Sequence, residues 1–580
     1  MNYRKIILPL FVFLSLLLPG KGEGQSVSPS KAGFSPPVDF PLYLSGTFGE
    51  LRSNHFHAGI DIKTKGREGE AIRTIGDGYV SRIKVSTGGY GNVLYVTHPN
   101  GYVSVYGHLQ KFNDPIREFV KEFQYKRESF TVEIFPEKGK FPVKKGEIIG
   151  WSGNSGSSSA PHLHFEIRKA ASQHPVNPLL FDKIRIEDSY SPRIQELVIY
   201  PVDRHSQING KNDTVFYPVT GKGDQHTIQG NPRISVSGSI SLGVRVYDPM
   251  DGISNRNGIY KLDILMDTLH LFGLELDELS FATSRYINSL IDYNYFQKDK
   301  RKVIRTQIDT NNLLFIYRDV CHNGILTFND SSVHKVVLKV SDVYGNKASL
   351  RFDLHSIPPD SSLLTKKTDP PKGIYFDFSK KHHIDAGSLI LDFPANAFYR
   401  SFYFHLDSLP GDSTMLSPVY EVHNRFTPVQ KSFSISIQPA VKTVSFADRF
   451  YIAYLDKDGQ SWFTGNDKEG VRLSAKTNLL GNYVVLADTV APEIIPVNIA
   501  GGKNMAGERS IKIKISDKET GIKKYRATLN GRWILMEYEP KKNLLFYEID
   551  DHLKKGINQF RLEVTDMVGN ESVYEAELLR

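Results

Sequence analysis

The sequence predicts an all-β protein built from several domains. Through the first third of the chain, glycine-rich turns separate short runs of alternating polar and apolar residues, which is typical of an antiparallel sheet. Beyond residue 183 the strand-like runs continue, and part of their pattern is repeated. At 580 residues the chain is also too long for one hydrophobic core. We therefore expect an N-terminal glycine-rich antiparallel β half-barrel or sandwich, followed by β-sandwich domains.

The first 25 residues have the pattern of a secretory signal peptide. Positive charge at residues 1–5 precedes an almost wholly apolar run at residues 6–18, and Pro19-Gly20 ends that run. The run is too short to span a bilayer, and a buried N-terminal helix is the alternative. The single cysteine, Cys321, does not follow the signal, which excludes a lipid-anchored cysteine. We expect export to the periplasm, the cell envelope or the medium, with no integral membrane segment after signal removal.

Composition restricts the possible sites and partners. One cysteine excludes intramolecular disulfides and thiolate metal sites, so any metal must be held by His, Asp or Glu. The formal net charge of +8 is small for this length, and no dense basic stripe with interleaved aromatic residues is present. We therefore expect no nucleic-acid partner, whereas a weakly basic chain is compatible with an anionic cell wall.

Residues 34–182 are predicted to form the first folded domain. Runs such as residues 93–96 and 102–106 alternate like strands between glycine turns. Residues 114–126 (DPIREFVKEFQYK) instead have a proline at a helix start and apolar residues at helical spacing. They predict a short amphipathic helix inside an insertion at about 112–140. We expect its apolar face to pack on the domain; the alternative is that it walls a substrate groove.

Two later segments repeat the same order of strands and turns. The run VSDVYGN at 340–346 is matched by VTDMVGN at 564–570, and earlier VYD at 246–248 is matched by ISD at 515–517. This repetition predicts related immunoglobulin-like β-sandwiches at 185–357 and 490–580, the first with an insertion at about 265–330. Asp342 and Asp566 are predicted to cap their turns; a role as calcium ligands is the alternative.

A further β-sandwich is predicted at 372–488. Prolines at 358–359 and 370–371 mark a linker before it, and Ala491-Pro492 opens the last sandwich. These C-terminal sandwiches are candidate surfaces for an envelope protein partner.

Candidate chemistry begins with the stretch SSAPHLHFEI at 158–167. In a strand, His162 and His164 share one face while Leu163 lies on the other. Such a pair alone is more typical of an exposed strand. His57 and Asp61 also share a face, but four residues of straight strand span about 13 Å, so the two side chains can meet only if the chain bends.

Gly59 permits that bend. His57, Asp61 and one histidine of the later pair would then supply two imidazoles and one carboxylate. This set matches a catalytic zinc site, which has three protein ligands and one open position. A third fragment, YGHL at 106–109, adds His108 on a strand expected to lie nearby.

Taken together, these fragments resemble the lysostaphin/LytM-type zinc endopeptidases, which cut peptidoglycan cross-bridges. The resemblance runs from Leu44 to Pro178. It includes SGTFGELRSNHFHAGIDIKT, GDGYVSRIKVSTGGYGNVLYVTH, YGHL, VKKGEIIGWSGNSG and HLHFEI. It implies a duplicated hybrid motif fold and one Zn²⁺ per chain, held by His57, Asp61 and His164. It also implies that His108 and His162 are catalytic and flank a metal-activated water, with the choice of general base left open.

The sequence departs from the family pattern at one position. Family members often carry a tyrosine shortly before the first ligand, whereas this chain has Gly49-Glu50-Leu51-Arg52. The oxyanion donor is therefore left open between Arg52 and a histidine. His55 and His98 are expected to be structural, and Glu166 is expected at most to support a ligand.

The resemblance predicts a zinc metalloendopeptidase that hydrolyses peptide cross-links of bacterial peptidoglycan. A D-alanyl bond to a diamino acid is favoured over a glycine bridge, by analogy with long exported envelope proteins. The alternative is a catalytically inactive LytM-like regulator or a cell-wall-binding scaffold.

Overall fold

The computed structural model describes residues 28–358, 372–440 and 445–580. The predicted signal peptide and most of the predicted linker lie outside the described residues. Strands dominate the described chain, so the all-β prediction is confirmed. In the described ranges no helix combines the length and hydropathy needed to cross a bilayer.

The first unit is one large sheet with a separate short hairpin. The sheet has the path β1-β4-β12-β8-β7-β6-β10, and all neighbours along this path are antiparallel. The strands are β1 Leu44–Gly46, β2 Leu51–Arg52, β3 His55–Phe56, β4 Ile60–Lys63, β5 Ala71–Arg73, β6 Gly78–Val85, β7 Asn92–Thr97, β8 Tyr102–Phe112, β9 Val132–Ile134, β10 Pro142–Val143, β11 Ile148–Ser152, β12 His162–Lys169 and β13 Pro175–Val176.

The position of β12 between β4 and β8 joins distant parts of the sequence. In register, His164 lies opposite Asp61 on one side and opposite Gly107 on the other. The alternate residues of β12, Leu163 and Phe165, are completely buried in the hydrophobic core. Because successive side chains point to opposite faces, burying these two residues directs the histidines to the other face.

The helical insertion is present and begins where the sequence predicts. Helix α1 spans Asp114–Arg127; Asn113 caps it by accepting a hydrogen bond from the Ile116 N–H, and Pro115 lies in its first turn. Ile116 and Val120 are buried against the first unit, as expected for its apolar face.

The second unit continues the hydrophobic core of the first. One cluster of buried side chains extends from Phe34 to Leu354 and also includes Tyr399 of the third unit, so the first two units pack directly against each other. The elements are β14 Arg193–Pro201, β15 Gln207–Ile208, β16 Val215–Lys222, β17 Gln225–Ile228, β18 Ile234–Tyr247, β19 Lys261–Met266, β20 Leu269–Glu275, α2 Ile287–Leu290, α3 Tyr293–Asp299, β21 Ile304–Arg305, β22 Tyr317–Arg318, β23 Ile325–Phe328, β24 Val333–Ser341 and β25 Lys347–Ser356.

The third unit has its own core between two antiparallel sheets, ordered β27-β28-β32-β36-β35 and β30-β31-β37-β33-β34. Its strands are β26 Ile374–Phe376, β27 His382–Asp385, β28 Leu389–Phe393, β29 Phe402–Phe404, β30 Leu406–Leu409, β31 Val419–Val422, β32 Phe433–Ile437, β33 Phe450–Leu455, β34 Ser461–Gly465, β35 Asp467–Glu469, β36 Arg472–Thr477 and β37 Gly481–Ala487.

The fourth unit is a two-sheet sandwich with a separate core. Its strands are β38 Glu493–Pro496, β39 Lys503–Asn504, β40 Ser510–Ser516, β41 Ile522–Leu529, β42 Arg532–Trp533, β43 Glu537–Glu539, β44 Leu544–Glu548, β45 Ile557–Asp566 and β46 Glu571–Leu579. The repeated aspartates cap their turns: Asp342 accepts from the Asn346 N–H at 2.9 Å, and Asp566 accepts from the Asn570 N–H at 2.8 Å.

The fourth unit contacts α1 of the first unit. The Tyr125 hydroxyl donates to Asp550 at 2.7 Å, and the Tyr125 ring stacks on His552 with centroids 4.9 Å apart. Lys541 of the same unit donates to the carbonyl oxygen of Ser158 at 3.1 Å. Ser158 lies in the loop between β11 and β12, so the fourth unit contacts the loop that leads into the predicted site.

Candidate metal centre

Three of the predicted site residues converge on one point. His57 Nε2 lies 3.0 Å from Asp61 Oδ1 and 3.1 Å from His164 Nδ1, and His164 Nδ1 lies 2.9 Å from the same Asp61 oxygen. Metal–ligand bonds of about 2.0–2.1 Å in tetrahedral geometry place neighbouring ligand atoms about 3.3 Å apart. The three side chains are buried. Their triangle therefore has nearly the size of one face of a tetrahedral metal site.

The outer nitrogens of both imidazoles have acceptor partners. His57 Nδ1 lies 2.7 Å from the carbonyl oxygen of Thr47, and His164 Nε2 lies 2.8 Å from Glu166 Oε1. Because a carbonyl or carboxylate oxygen can only accept, these outer nitrogens carry the protons. The inner nitrogens then present lone pairs to each other and to the Asp61 carboxylate. Lone pairs at such distances repel unless a cation lies between them, so the donor set fits a divalent metal.

The charges of the three groups lead to the same conclusion. Burial lowers the pKa of His57 to about 4. Burial also disfavours the charged form of His164, but hydrogen bonds to Asp61 and Glu166 raise its pKa to about 9. Against the effect of burial, the charge of His57 and hydrogen bonds from His162 and His164 hold the pKa of Asp61 well below its usual value. Without a metal, the centre therefore retains a proton as its positive charge.

The bend expected between His57 and Asp61 is present, and Gly59 is necessary for a steric reason. A Cβ at Gly59 would lie 2.2 Å from the Phe165 carbonyl oxygen on β12. The φ angle of Gly59 is not in the left-handed region, so its role is close backbone approach and not unusual backbone conformation.

His108 and His162 lie beside the three converging residues. His162 Nε2 is 3.4 Å from Asp61 Oδ1, and the rings of His108 and His162 have centroids 4.8 Å apart. His108 Nδ1 faces the Ser155 carbonyl oxygen at 2.8 Å, and His162 Nδ1 faces the Ala160 carbonyl oxygen at 2.8 Å. Because a carbonyl oxygen can only accept, both rings carry a proton on Nδ1.

The backbone at His108 is strained, and its ring is held neutral. Its φ of 59° is in the left-handed region, which a non-glycine residue adopts only when its surroundings enforce it. Burial, with smaller contributions from His164 and His162, lowers the pKa of His108 to about 3. Its imidazole is therefore uncharged at neutral pH.

Glu166 has a larger role than the sequence indicates. Its carboxylate is completely buried; besides contacting His164, it accepts from the Tyr90 hydroxyl at 2.5 Å and from Arg168 Nε at 2.6 Å. Although burial alone would raise it, the pKa of Glu166 falls to about 2, mainly because of Arg168. Tyr90 also stacks on the His164 ring. Sequence reasoning missed Tyr90, Arg168 and the Thr47 carbonyl.

One signal for this network is present in the sequence. His162, His164, Glu166 and Arg168 alternate along β12, which places all four on one face. Tyr90 and Thr47 carry no comparable pattern, because they reach the centre only through tertiary contact.

Arg52, a candidate oxyanion donor, is paired with Asp61. Its Nη2 donates to Asp61 Oδ2 at 2.5 Å, which leaves Oδ1 directed at the two inner imidazole nitrogens. The two remaining histidines lie outside the centre. His55 is exposed, with Nδ1 near the Ser53 carbonyl, and His98 is buried between Asp77 and Ser104.

Comparison with known proteins matches the first and third units to families. Peptidase family M23 matches residues 55–124 and 135–178, and the Zu5-like domain matches residues 374–488. The DD-carboxypeptidase/endopeptidase Mpg of Neisseria meningitidis serogroup B is 30% identical over 162 residues, which are 27% of this chain and 31% of that protein.

Two further similarities involve the same region. The murein hydrolase activator NlpD of Escherichia coli is 35% identical over 135 residues, covering 23% of this chain and 28% of that protein. A solved zinc-containing peptidase from Vibrio cholerae is 26% identical and covers 27% of this chain and 41% of that chain, with a TM-score of 0.20. The chain thus spans less than a third of the length of these two curated relatives. By these matches, the chain contains a peptidase family M23 domain, which carries the His57, Asp61 and His164 cluster, and a Zu5-like β domain.

Proposed function

We propose that the M23 domain is a zinc-dependent endopeptidase that hydrolyses peptide cross-links of bacterial peptidoglycan. One observation carries this proposal: two imidazole nitrogens and a carboxylate oxygen meet within 3.1 Å of one another. In this proposal His57 Nε2, His164 Nδ1 and Asp61 Oδ1 hold one Zn²⁺ per chain. When bound, zinc polarises a scissile carbonyl and lowers the pKa of water toward neutrality.

The chain's own residues prepare this centre. Thr47 and Glu166 fix the tautomers of the two imidazole ligands, and Arg52 neutralises the outer oxygen of Asp61. These contacts orient the three donor atoms before the metal binds, which lowers the entropic cost of assembling the site.

His108 and His162 move protons in this proposal. Each ring donates its Nδ1–H to a backbone carbonyl, which fixes the orientation of the ring and directs Nε2 away from that carbonyl. A neutral imidazole in this position takes a proton from the attacking water and returns it to the departing amine. The other ring donates a hydrogen bond to the developing oxyanion. The two rings are neighbours, so they divide these tasks across one scissile bond.

Two lines of support favour peptidoglycan as the substrate. The relative from Neisseria is a DD-carboxypeptidase/endopeptidase, and the relative from Escherichia is a murein hydrolase activator. The predicted signal peptide would deliver the domain to the periplasm or cell envelope, where peptidoglycan is located. The relative named as an activator makes an inactive regulator the competing function.

The test compares zinc content and cleavage in four purified proteins. Zinc per chain is measured by elemental analysis, and digested peptidoglycan is analysed by mass spectrometry. We expect wild type to bind one zinc and cleave, His164→Ala to lose both properties, and His108→Ala to retain zinc but lose cleavage. His55→Ala is the matched control, because its ring is exposed outside the centre, and it should behave as wild type. A zinc-loaded wild type that cleaves no peptidoglycan would instead establish the regulator.

A further inference from the structure

A cluster of three aspartates lies in the second unit, apart from the M23 centre. Asp188 is on the segment that joins the first two units, Asp248 directly follows β18, and Asp342 directly follows β24. One carboxylate oxygen of each lies within 4.8 Å of the others. The charged groups that act on Asp248 are the other two aspartates. Three carboxyl groups therefore meet here without a cationic side chain acting on the central one.

Asp248 is the least compensated member of this aspartate triad. Its side chain is 1% exposed, and its Oδ1 has no hydrogen-bond partner among the described residues. Burial and its two acidic neighbours raise the pKa of Asp248 to about 9. Oδ2 of Asp188 is likewise buried without a partner in the described chain. An unpaired buried carboxylate is unfavourable, so the arrangement favours uptake of a proton or of a bound cation.

A second buried side chain beside the triad also lacks partners. Asn257 pairs with Asp248 through two backbone hydrogen bonds of 2.9 and 3.0 Å. Residues directly opposite each other in such a pair project to the same side. The amide of Asn257 is 3% exposed, and neither its oxygen nor its nitrogen has a hydrogen-bond partner in the described chain. It therefore offers a free oxygen on the same side of the pair as the Asp248 carboxylate.

The repeated unit at the C-terminus provides an internal comparison. Asp488, Asp517 and Asp566 form a second group of three within the same distance limit. The two groups share a D-x-x-x-P pattern at 188–192 and 488–492. They also share one contact: Asn346 Nδ2 donates to the Asp188 carbonyl at 3.1 Å, and Asn570 Nδ2 donates to the Asp488 carbonyl at 2.9 Å.

The two groups differ at their middle aspartate. Asp517 accepts hydrogen bonds from the backbone N–H groups of Thr520 and Gly521 at 2.9 and 2.7 Å. In the second unit, the equivalent loop from Asp248 to Gly258 is longer, and it supplies Asp248 with no such donors. Of these two equivalent carboxylates, Asp517 therefore accepts backbone hydrogen bonds, whereas Asp248, at the start of the longer loop, accepts none from the described residues.

We propose that Asp188, Asp248, Asp342 and Asn257 form a calcium-binding site. Every donor is an oxygen, which favours a hard cation, and Ca²⁺ accepts irregular sets of oxygens at about 2.3–2.6 Å. Ligand atoms on opposite sides of such an ion lie about 5 Å apart, and the three carboxylates satisfy that limit. The ion would connect the segment between the first two units to the loops of the second unit that carry Asp248 and Asp342.

The test measures Ca²⁺ binding to the full-length chain prepared free of Ca²⁺. Isothermal titration calorimetry should show one Ca²⁺ per chain, with a Kd between about 10⁻⁶ and 10⁻³ M, and thermal unfolding should shift upward as Ca²⁺ is added. Asp248→Asn should lose both the heat of binding and the shift. Its Ca²⁺-free form should melt no lower than wild type, because the substitution removes a buried acid that must take up a proton on folding.

Asp517→Asn is the matched control at the equivalent position of the fourth unit, and it should bind Ca²⁺ as wild type does. Absence of a calorimetric and thermal response in wild type would overturn the proposal, as would a full response in Asp248→Asn. An equal response to Mg²⁺ would overturn the assignment of the ion. If Asp248→Asn does not fold, loss of the response in Asp188→Asn, whose side chain is partly exposed, supports the site, and its retention contradicts it.

Discussion

Replacing Glu166 with glutamine tests whether this buried carboxylate controls metal binding. The substitution preserves the size of the side chain but removes the charge that faces His164 Nε2 at 2.8 Å and Arg168 Nε at 2.6 Å. The glutamine oxygen can still accept from His164. Its amide group, however, would face the Arg168 guanidinium, donor against donor. The neutral side chain therefore makes His164 a poorer ligand and leaves Arg168 without its counter-charge.

The expected size of the effect follows from these contacts. Loss of the partner of a metal-binding histidine costs about 10–100-fold in metal affinity, or about 1.4–2.8 kcal/mol. We expect the upper part of that range, because Glu166 is completely buried and no water can replace its charge. The unpaired Arg168 adds about 3–5 kcal/mol of lost folding stability, which the metal-free protein should also show.

Competition with a chromogenic zinc chelator measures the affinity, and thermal unfolding of the zinc-free protein measures the stability separately. Tyr90→Phe is the matched control, because it removes a neutral donor from the same carboxylate and retains the charge. We expect it to lose less than about tenfold in affinity. A folded Glu166→Gln protein that binds zinc as tightly as wild type would refute the assigned role of Glu166.

Three other substitutions test separate features. Arg52→Ala should weaken zinc binding by less than about tenfold, because the Arg52 side chain is 34% exposed and its charge is screened by solvent; Arg52→Lys should partly restore it in the same chelator assay. Gly59→Ala should lower the melting temperature and zinc content together, since its Cβ would collide with the Phe165 carbonyl; normal melting and zinc content would contradict the close approach. Asp248→Asn should change the pH dependence of stability in Ca²⁺-free buffer. Because the folded pKa of Asp248 is raised to about 9, its ionisation opposes folding increasingly from about pH 4 to pH 9, by about 4 kcal/mol at pH 7. The melting advantage of Asp248→Asn over wild type should therefore grow between pH 5 and pH 8, and a constant difference would contradict this cost.

The polar face of β12 shows how far sequence reasoning extends into the site. Alternation along a strand needs only the identity of successive residues, so His162 and His164 could be placed on one face without coordinates. The same rule extends to Glu166 and Arg168, and applying it further along the strand would have indicated the buried ion pair. His57 and Asp61 required one additional condition, a bend, and the glycine between them indicated where it occurs.

Other parts of the network depend on contacts that no local pattern encodes. Tyr90 reaches Glu166 across 76 residues of sequence, and Thr47 orients His57 through a carbonyl that every residue possesses. Arg52 was considered as an oxyanion donor because its partner could not be known before Asp61 was placed beside it. Burial raises the pKa of Asp248, and its loop directs no backbone N–H group at the carboxylate to oppose that effect. Such an absence of contacts is visible only in three dimensions.

The helical insertion has one further consequence for access to the centre. Its apolar face packs on the first unit as expected, but its opposite side holds the fourth unit through Tyr125 and Asp550. The same unit contacts the loop before His162 through Lys541, which donates to the Ser158 carbonyl, while the Ser158 hydroxyl lies 3.1 Å from His162 Nδ1. One loop therefore contacts both the catalytic candidate His162 and the fourth unit. We expect a displacement of the fourth unit to shift this loop and to leave the three donor atoms in place. Removing α1 should therefore affect which substrates enter more than how much zinc is held, and loss of zinc in equal measure would show that the helix supports the metal centre directly.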